Sequence, residues 1–135
     1  RPTAHDIAAA RAQALDLLRL RRSTPLFSLG SAELIRERVS FPVCGPQAQP
    51  GVIVMVIDDG AGEADVDPAL DGVVVVLNAT PHEIGQRVDA LVGRFLVLSD
   101  VQAHGSDPVV RETRFDPATG KVTVPARTVA VLVEP

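Results

Sequence analysis

Gly51-Val52-Ile53-Val54-Met55-Val56-Ile57 and Val73-Val74-Val75-Val76-Leu77 are the stretches that decide how this 135-residue chain folds. Each is an unbroken apolar run of strand length, rich in β-branched residues, with Gly51 opening the first and Asn78 closing the second. Runs of this kind read as strands buried on both faces. Outward from them the β pattern continues. Val39, Phe41 and Val43 alternate before Gly45-Pro46, and shorter candidates lie at 86–91, 94–98 and 109–115. Asp116-Pro117-Ala118-Thr119-Gly120 has turn chemistry, Pro pre-setting φ and Gly taking a positive φ, so Arg114-Phe115 and Lys121-Val122-Thr123-Val124 form a hairpin. The last strand, 128–133, alternates Val129, Val131 and Val133 with Thr128, Ala130 and Leu132. About seven or eight short strands with turn signals between them predict a mainly β chain, an antiparallel, Greek-key-like β-sandwich.

Helix belongs to the N-terminal side. Thr3 and Asp6 have capping-box spacing, and Ile7, Ala10, Ala14, Leu17 and Leu18 recur at helical spacing, with Leu15 and Leu20 widening the apolar face. Arg19, Arg21 and Arg22 suit the negative helix end, and Pro25 stops the run. One long helix is therefore expected over 4–22. Residues 25–29 read as an extended connector, and Ser31 as the N-cap of a short helical turn reaching about Arg38. The expected organisation of 1–135 is a helix at 4–22, a connector with a short helix at 23–38, and a β-sandwich domain at 39–135.

Composition narrows the function. The chain is 46% hydrophobic with a net charge of −4, which disfavours nucleic acid and anionic membranes as partners. No apolar stretch is long enough to span a bilayer. It opens on Arg1-Pro2-Thr3 without a Met or an apolar signal segment, so it is expected to be part of something longer. Its lone cysteine, Cys44, allows no internal disulfide and reads as a small buried hydrophobe. Four Phe with no Trp or Tyr leave few rings for a sugar platform, which weighs against a carbohydrate-binding module. Phe41 and Phe115 fall on strand patterns and are expected in the core, leaving Phe27 and Phe95.

The conspicuous polar segment is 58–71, where Asp58, Asp59, Glu63, Asp65, Asp67 and Asp71 stand without a base. Carboxylates could wrap Ca²⁺, but the spacing fails the EF-hand pattern, and a solvated surface loop is the better reading. Asp58 and Asp59 are neighbours on an extended segment and point to opposite faces, so they cannot flank one glycosidic bond. His5, His82 and His104 lie in separate segments without metal-ligand spacing. No G-x-S-x-G elbow or phosphate loop is present. The expected catalytic, cofactor-binding and metal-binding residues are therefore none, and no cofactor is implied.

Several segments together resemble a known family. Leu17-Leu18-Arg19-Leu20-Arg21-Arg22-Ser23-Thr24-Pro25-Leu26-Phe27-Ser28-Leu29-Gly30 resembles the passage from the last barrel helix to the C-terminal domain in α-amylase-superfamily enzymes. Arg38-Val39-Ser40-Phe41, Gly51-Val52-Ile53-Val54-Met55, Ile57-Asp58-Asp59-Gly60, Leu70-Asp71-Gly72-Val73-Val74-Val75 with Asn78-Ala79, and Asp107-Pro108-Val109-Val110-Arg111 resemble bacterial pullulanases. Val124-Pro125-Ala126-Arg127-Thr128 is similar to superfamily C-terminal domains at large. Leu70, where an aromatic is expected, and Pro42-Val43-Cys44, where the family is more polar, depart from the pattern.

The resemblance implies a non-catalytic structural domain at the C-terminal end of a bacterial, secreted or cell-surface glycosidase that hydrolyses α-1,6-glucosidic branch links in pullulan and related α-glucans. Its acid and nucleophile would lie in an upstream (β/α)₈ barrel of the same polypeptide. A carbohydrate-binding sandwich is the alternative. The apolar stripe of 4–22 would then pack on absent barrel strands. Burying its Leu and Ile side chains contributes about 1.5–3 kcal/mol each. In the chain alone the helix is expected to fold back on the sandwich or to pack against a second copy.

Overall fold

The two valine-rich runs pair with each other. In a computed structural model that describes residues 1–60 and 65–135, Val39–Ser40 (β1) and Val52–Asp58 (β2) lead into Gly72–Asn78 (β3). Strand β2 lies antiparallel to β3 with Met55 opposite Val75. The second sheet begins with Ile84–Arg87 (β4); Val97–Leu98 (β5) returns to the first, and Arg114–Asp116 (β6) and Lys121–Val124 (β7) complete the second. Thr128–Glu134 (β8) closes the first, Val131 opposite Val75. The orders are β1-β2-β3-β8-β5 and β4-β7-β6, with every pairing antiparallel. The predicted hairpin is β6–β7, Phe115 opposite Val122, and Gly120 takes φ 66° at its turn.

Period two decides which side chains meet. Val52, Val54 and Val56, Val74 and Val76, Ala130 and Leu132 face the small sheet and pack with its Ile84, Val122 and Val124. The intervening residues point the other way, against the helical N-terminal segment. A second core there gathers Ile57, Val73, Val75 and Val131 with Leu20 and Leu26. Strand β3 is covered on both sides as its unbroken apolar run predicts, with Leu77 only half-buried, whereas β2, expected to be buried likewise, leaves Ile53 52% exposed.

Among the described residues three α-helices accompany the sheets: Ala4–Arg22 (α1), Ala32–Arg38 (α2) and Asp100–Ala103 (α3). The capping box forms as expected: the Asp6 amide donates to Thr3 Oγ1 at 3.2 Å, and the Thr3 amide donates to Asp6 Oδ2 at 2.7 Å. The Thr3 amide and, second to it, the Thr3 hydroxyl donate to the Asp6 carboxyl and hold it below its ordinary range. Ser31 Oγ accepts from the Leu34 amide at the start of α2.

Several expected elements differ. Residues 25–29 are not extended: Thr24 Oγ1 accepts from the Leu26 amide and starts a 3₁₀ turn, Pro25–Ser28. The strand expected from Val39 through Val43 stops at Ser40, and Phe41 stands 56% exposed. Pro42, two residues beyond, has no N–H to give a ladder. The candidate at 86–91 begins earlier, at Ile84, and turns into a 3₁₀ turn at Asp89–Leu91. In 109–115, a turn at Val110–Glu112 precedes β6, helped by the Val109 amide donating to Asp107 Oδ1. The 94–98 candidate pairs only at its end, as β5. Helix α3 was not expected at all.

Candidate functional site

The outer face of the large sheet is laid in rows, and its cover runs out along them. Ile57, Val73 and Val133 form one row, Met55, Val75 and Val131 the next, and Ile53, Leu77 and Val129 the last. The first two rows lie under Leu20, Leu26, Phe27 and Leu29, and Val73 and Val131 are buried. The last row is the least covered: Ile53 is 52% and Val129 43% exposed, and Leu77 between them is half-buried.

At the covered end the chain ties a polar knot. The segment after β2 was expected to be a solvated acidic loop without a base, and this is corrected. Arg38, the last residue of α2, enters it as a buried guanidinium. Arg38 Nη1 donates to Asp59 Oδ1 and to the Asp59 carbonyl, each at 2.8 Å, with both side chains 1% exposed. The same Asp59 carboxylate accepts from the Val66 and Asp67 amides. Asp67, also buried, accepts from Thr24 Oγ1 at 2.5 Å and from the Ala69 amide. The knot thus joins α2, the 3₁₀ turn and the β2–β3 connection, all over the first row. Asp58 points outward toward Arg94, which also pairs with Glu134. Gly72 leaves room for that guanidinium, since a Cβ there would stand 2.7 Å from Arg94 Nη2. Glu63 lies outside the described residues. Among the described residues no group of three or more His, Cys, Asp or Glu could hold a metal ion.

At the open end lies α1. Leu20 is its buried residue, while Ile7, Leu17 and Leu18 are each 60% exposed and Leu15 is 41%. The fold-back expected for the helix is therefore partial: its last turns rest on the sheet and its leucine stripe does not. Asp16 fixes this placement, accepting from the Ser106 amide at 2.7 Å and Ser106 Oγ at 2.6 Å. The Ser106 hydroxyl and amide, with Arg19 beside them, hold the Asp16 carboxyl below its ordinary range. A groove of about 200 Å³ separates α1 from the loop after α3, lined by Leu17, Leu20, Val110, Arg127 and Val129 among others. A second, of about 270 Å³, lies between Leu17, Phe27, Met55 and Val129.

The remaining candidates do not assemble. His5, His82 and His104 are exposed in three separate places. Cys44 is exposed rather than buried, set in a 3₁₀-turn loop between Pro42 and Pro46. Phe115 is half-buried against the inner core and Phe27 against the outer. The two open rings, Phe41 and Phe95 (68% exposed), follow β1 and precede β5, the opposite edges of the large sheet, and make no common platform. The grooves and the open row were missed from sequence. The spare leucines of α1 were their one visible sign.

Comparison with known proteins agrees with this picture. The family model for alpha-1,6-glucosidases, pullulanase-type, C-terminal, matches residues 1–135. Pullulanase 1, chloroplastic, of Arabidopsis thaliana is 42% identical over 99% of this chain, and a pullulanase of Klebsiella pneumoniae is 39% identical over 89%. The crystal structure of PulA from Klebsiella oxytoca superposes with a TM-score of 0.87 at 36% identity over 99% of the chain. The chain spans 14% of the Arabidopsis protein, 11% of the Klebsiella pneumoniae one and 13% of the PulA chain. It is a C-terminal domain of the pullulanase-type alpha-1,6-glucosidase family.

Proposed function

We propose that this chain is the non-catalytic, structural C-terminal domain of a pullulanase-type enzyme, whose whole polypeptide hydrolyses α-1,6-glucosidic branch links in pullulan and starch-like α-glucans. The observation that carries this reading is the half-covered outer face. An ordered helix with three apolar side chains 60% exposed, beside an open sheet row, has the surface of a part rather than a whole. In this reading 4–22 is the last helix of a (β/α)₈ barrel, 23–38 a connector, and 39–135 the sandwich that closes over it. The acid and nucleophile lie in the barrel, and no residue of 1–135 acts on substrate, metal or cofactor.

The domain's work is to bury barrel surface and hold the end of the polypeptide. Removing 39–135 from the full-length enzyme lowers its solubility and melting midpoint far more than its turnover of pullulan. Unchanged melting after that deletion contradicts the reading, as does cleavage of pullulan by the purified chain alone. In isolation the chain associates through the α1 side chains that lie off the groove, Ile7, Leu15 and Leu18. Location follows the parent. For a bacterial parent the reading is an extracellular or cell-surface site, while one relative is named as chloroplastic. Among the described residues no helix is long and apolar enough to cross a membrane.

A further inference from the structure

The open row of the sheet begins beside a strained turn. Between β7 and β8 the chain crosses from the small sheet to the large one through Pro125-Ala126-Arg127, and Arg127 takes φ 50°. Among the described residues no other non-glycine has a positive φ. Glycine would hold that conformation without the Cβ clash. It would also keep the bond that ties the turn down, the residue-127 amide donating to the Thr80 carbonyl at 2.9 Å. The fold needs a backbone at this position and does not need an arginine.

The side chain points to a use outside the domain. The Arg127 guanidinium is exposed and has no hydrogen-bond or ionic partner among the described residues. It stands on the groove formed by Leu17, Leu20 and Val129, which continues into the open row. Two carboxylates line the same groove, and both are engaged elsewhere: Asp16 by Ser106 and Arg19, Asp107 by the Val109 amide. An apolar surface closing over this groove would strip water from the guanidinium, which is unfavourable unless the incoming surface brings an acid.

We propose that Arg127 is the polar anchor of a docking surface made by Leu17, Ile53, Leu77 and Val129. Its occupant is the domain that precedes residue 1 in the same polypeptide, presenting an apolar patch with a carboxylate opposite the guanidinium. This rests on the reading of the chain as a C-terminal domain. The family match and the small share of each relative that the chain covers, 11–14%, indicate where such a surface would come from. A second copy fits less well, because a two-fold contact would set this patch against itself, and its carboxylates are already bound.

Thermal unfolding of Arg127→Gly, Arg127→Glu and Arg127→Lys, in the 135-residue chain and in the full-length polypeptide, tests the proposal. In the chain alone, Arg127→Gly relieves the left-handed strain and raises the midpoint by about 2–4 °C, and Arg127→Glu leaves it within about 1 °C. In the full-length polypeptide the order inverts: Arg127→Gly lowers the midpoint, Arg127→Glu lowers it further, and Arg127→Lys retains most of it. A shift for Arg127→Gly of the same sign and size in both settings overturns the anchor, as does Arg127→Glu no worse than Gly in the full-length protein. If removing 39–135 leaves the remainder equally stable, the reading beneath the proposal falls with it; if removal is damaging and the Arg127 variants are silent, only the anchor falls. A dimer of the chain alone that Arg127→Glu dissolves assigns the face to a second copy, and an Arg127-dependent stabilisation by maltotriose assigns it to sugar. Either result overturns the proposal.

Discussion

The two faces of the large sheet are built from the same kind of residue and end differently. On the inner face Val54, Val74, Val76, Ala130 and Leu132 meet a second sheet and are sealed along the whole strand length. On the outer face the same strands offer Ile57, Val73, Val75 and Val131 to a helical cover, and the cover stops one row short. Alternation sends equal apolar content to both sides. Burial of a face therefore depends on what lies across from it, and across the last outer row the described residues offer only the groove edge at Leu17.

The comparison breaks most severely at the polar knot that pins the cover over the first row. Asp59→Asn removes the buried carboxylate charge that Arg38 Nη1 meets at 2.8 Å, and loss of one partner of a buried ion pair costs about 3–5 kcal/mol. Urea unfolding of the chain is expected to show that loss. It should be accompanied by faster amide exchange through α2 and the 3₁₀ turn at Pro25–Ser28, while the inner core of the partly folded state stays protected. A cost under about 1 kcal/mol would mean that the knot does not hold the cover down. Next in size is the inner face itself. Leu132, 2% exposed, packs with the small sheet, and Leu132→Ala should cost about 2–5 kcal/mol, with the spread set by how far the site collapses. Equal costs for Leu132→Ala and a truncation in the open outer row would erase the difference between the faces.

What could be read from the sequence follows the range of each interaction. Long apolar runs, the capping box at Thr3 and Asp6, and the Asp116–Gly120 turn depend on neighbours within a few residues, and each forms as expected. The acidic loop was misread because its base arrives from Arg38, 21 residues before Asp59, at the end of a different helix. No pattern inside a run of carboxylates announces a partner at that distance. Phe41 was placed in the core because alternation was carried past Ser40, and Cys44 because a lone cysteine packs most often as a small hydrophobe. Pro42 and Pro46 were on the page to say that a ladder could not continue there. As for the site, the surplus leucines of α1 announced an uncovered surface. The row of the sheet that stays open depends on the register of β2, β3 and β8, which local pattern does not fix.

A smaller effect separates the two ends of the outer face by pH. The Asp16 carboxyl is held below its ordinary range chiefly by the Ser106 hydroxyl and amide. A carboxyl depressed in the folded state contributes stability above its unfolded value, about 3.9, and loses that contribution as pH falls through the folded value. Acidifying below about pH 4 should therefore loosen the tie between α1 and the loop after α3 before the sheets unfold. The Ser106 amide would report it by faster hydrogen exchange. Asp16→Asn should abolish this dependence while leaving the exchange of β3 amides unchanged. A Ser106 amide whose protection is flat over that range would show that Asp16 does not hold the helix in place.

The smallest expected effect is the most discriminating. Ile53 sits in the open row, 52% exposed, directly opposite Leu77, and Ile53→Thr keeps a β-branched residue in a strand while removing apolar surface. In the 135-residue chain the change should stay within about 0.5 kcal/mol, as for surface substitutions away from buried features. The same change on the inner face, at Val54, would bury a hydroxyl among valines and cost about 1–3 kcal/mol. The pair of variants thus measures the two faces with nearly the same chemistry. A large loss at Ile53 in the chain alone would mean that the outer row is already covered in solution, by α1 or by another copy, and a sedimentation measurement would say which. A loss at Ile53 that appears only when the full-length polypeptide is present would show that the last row is buried by what the chain docks against.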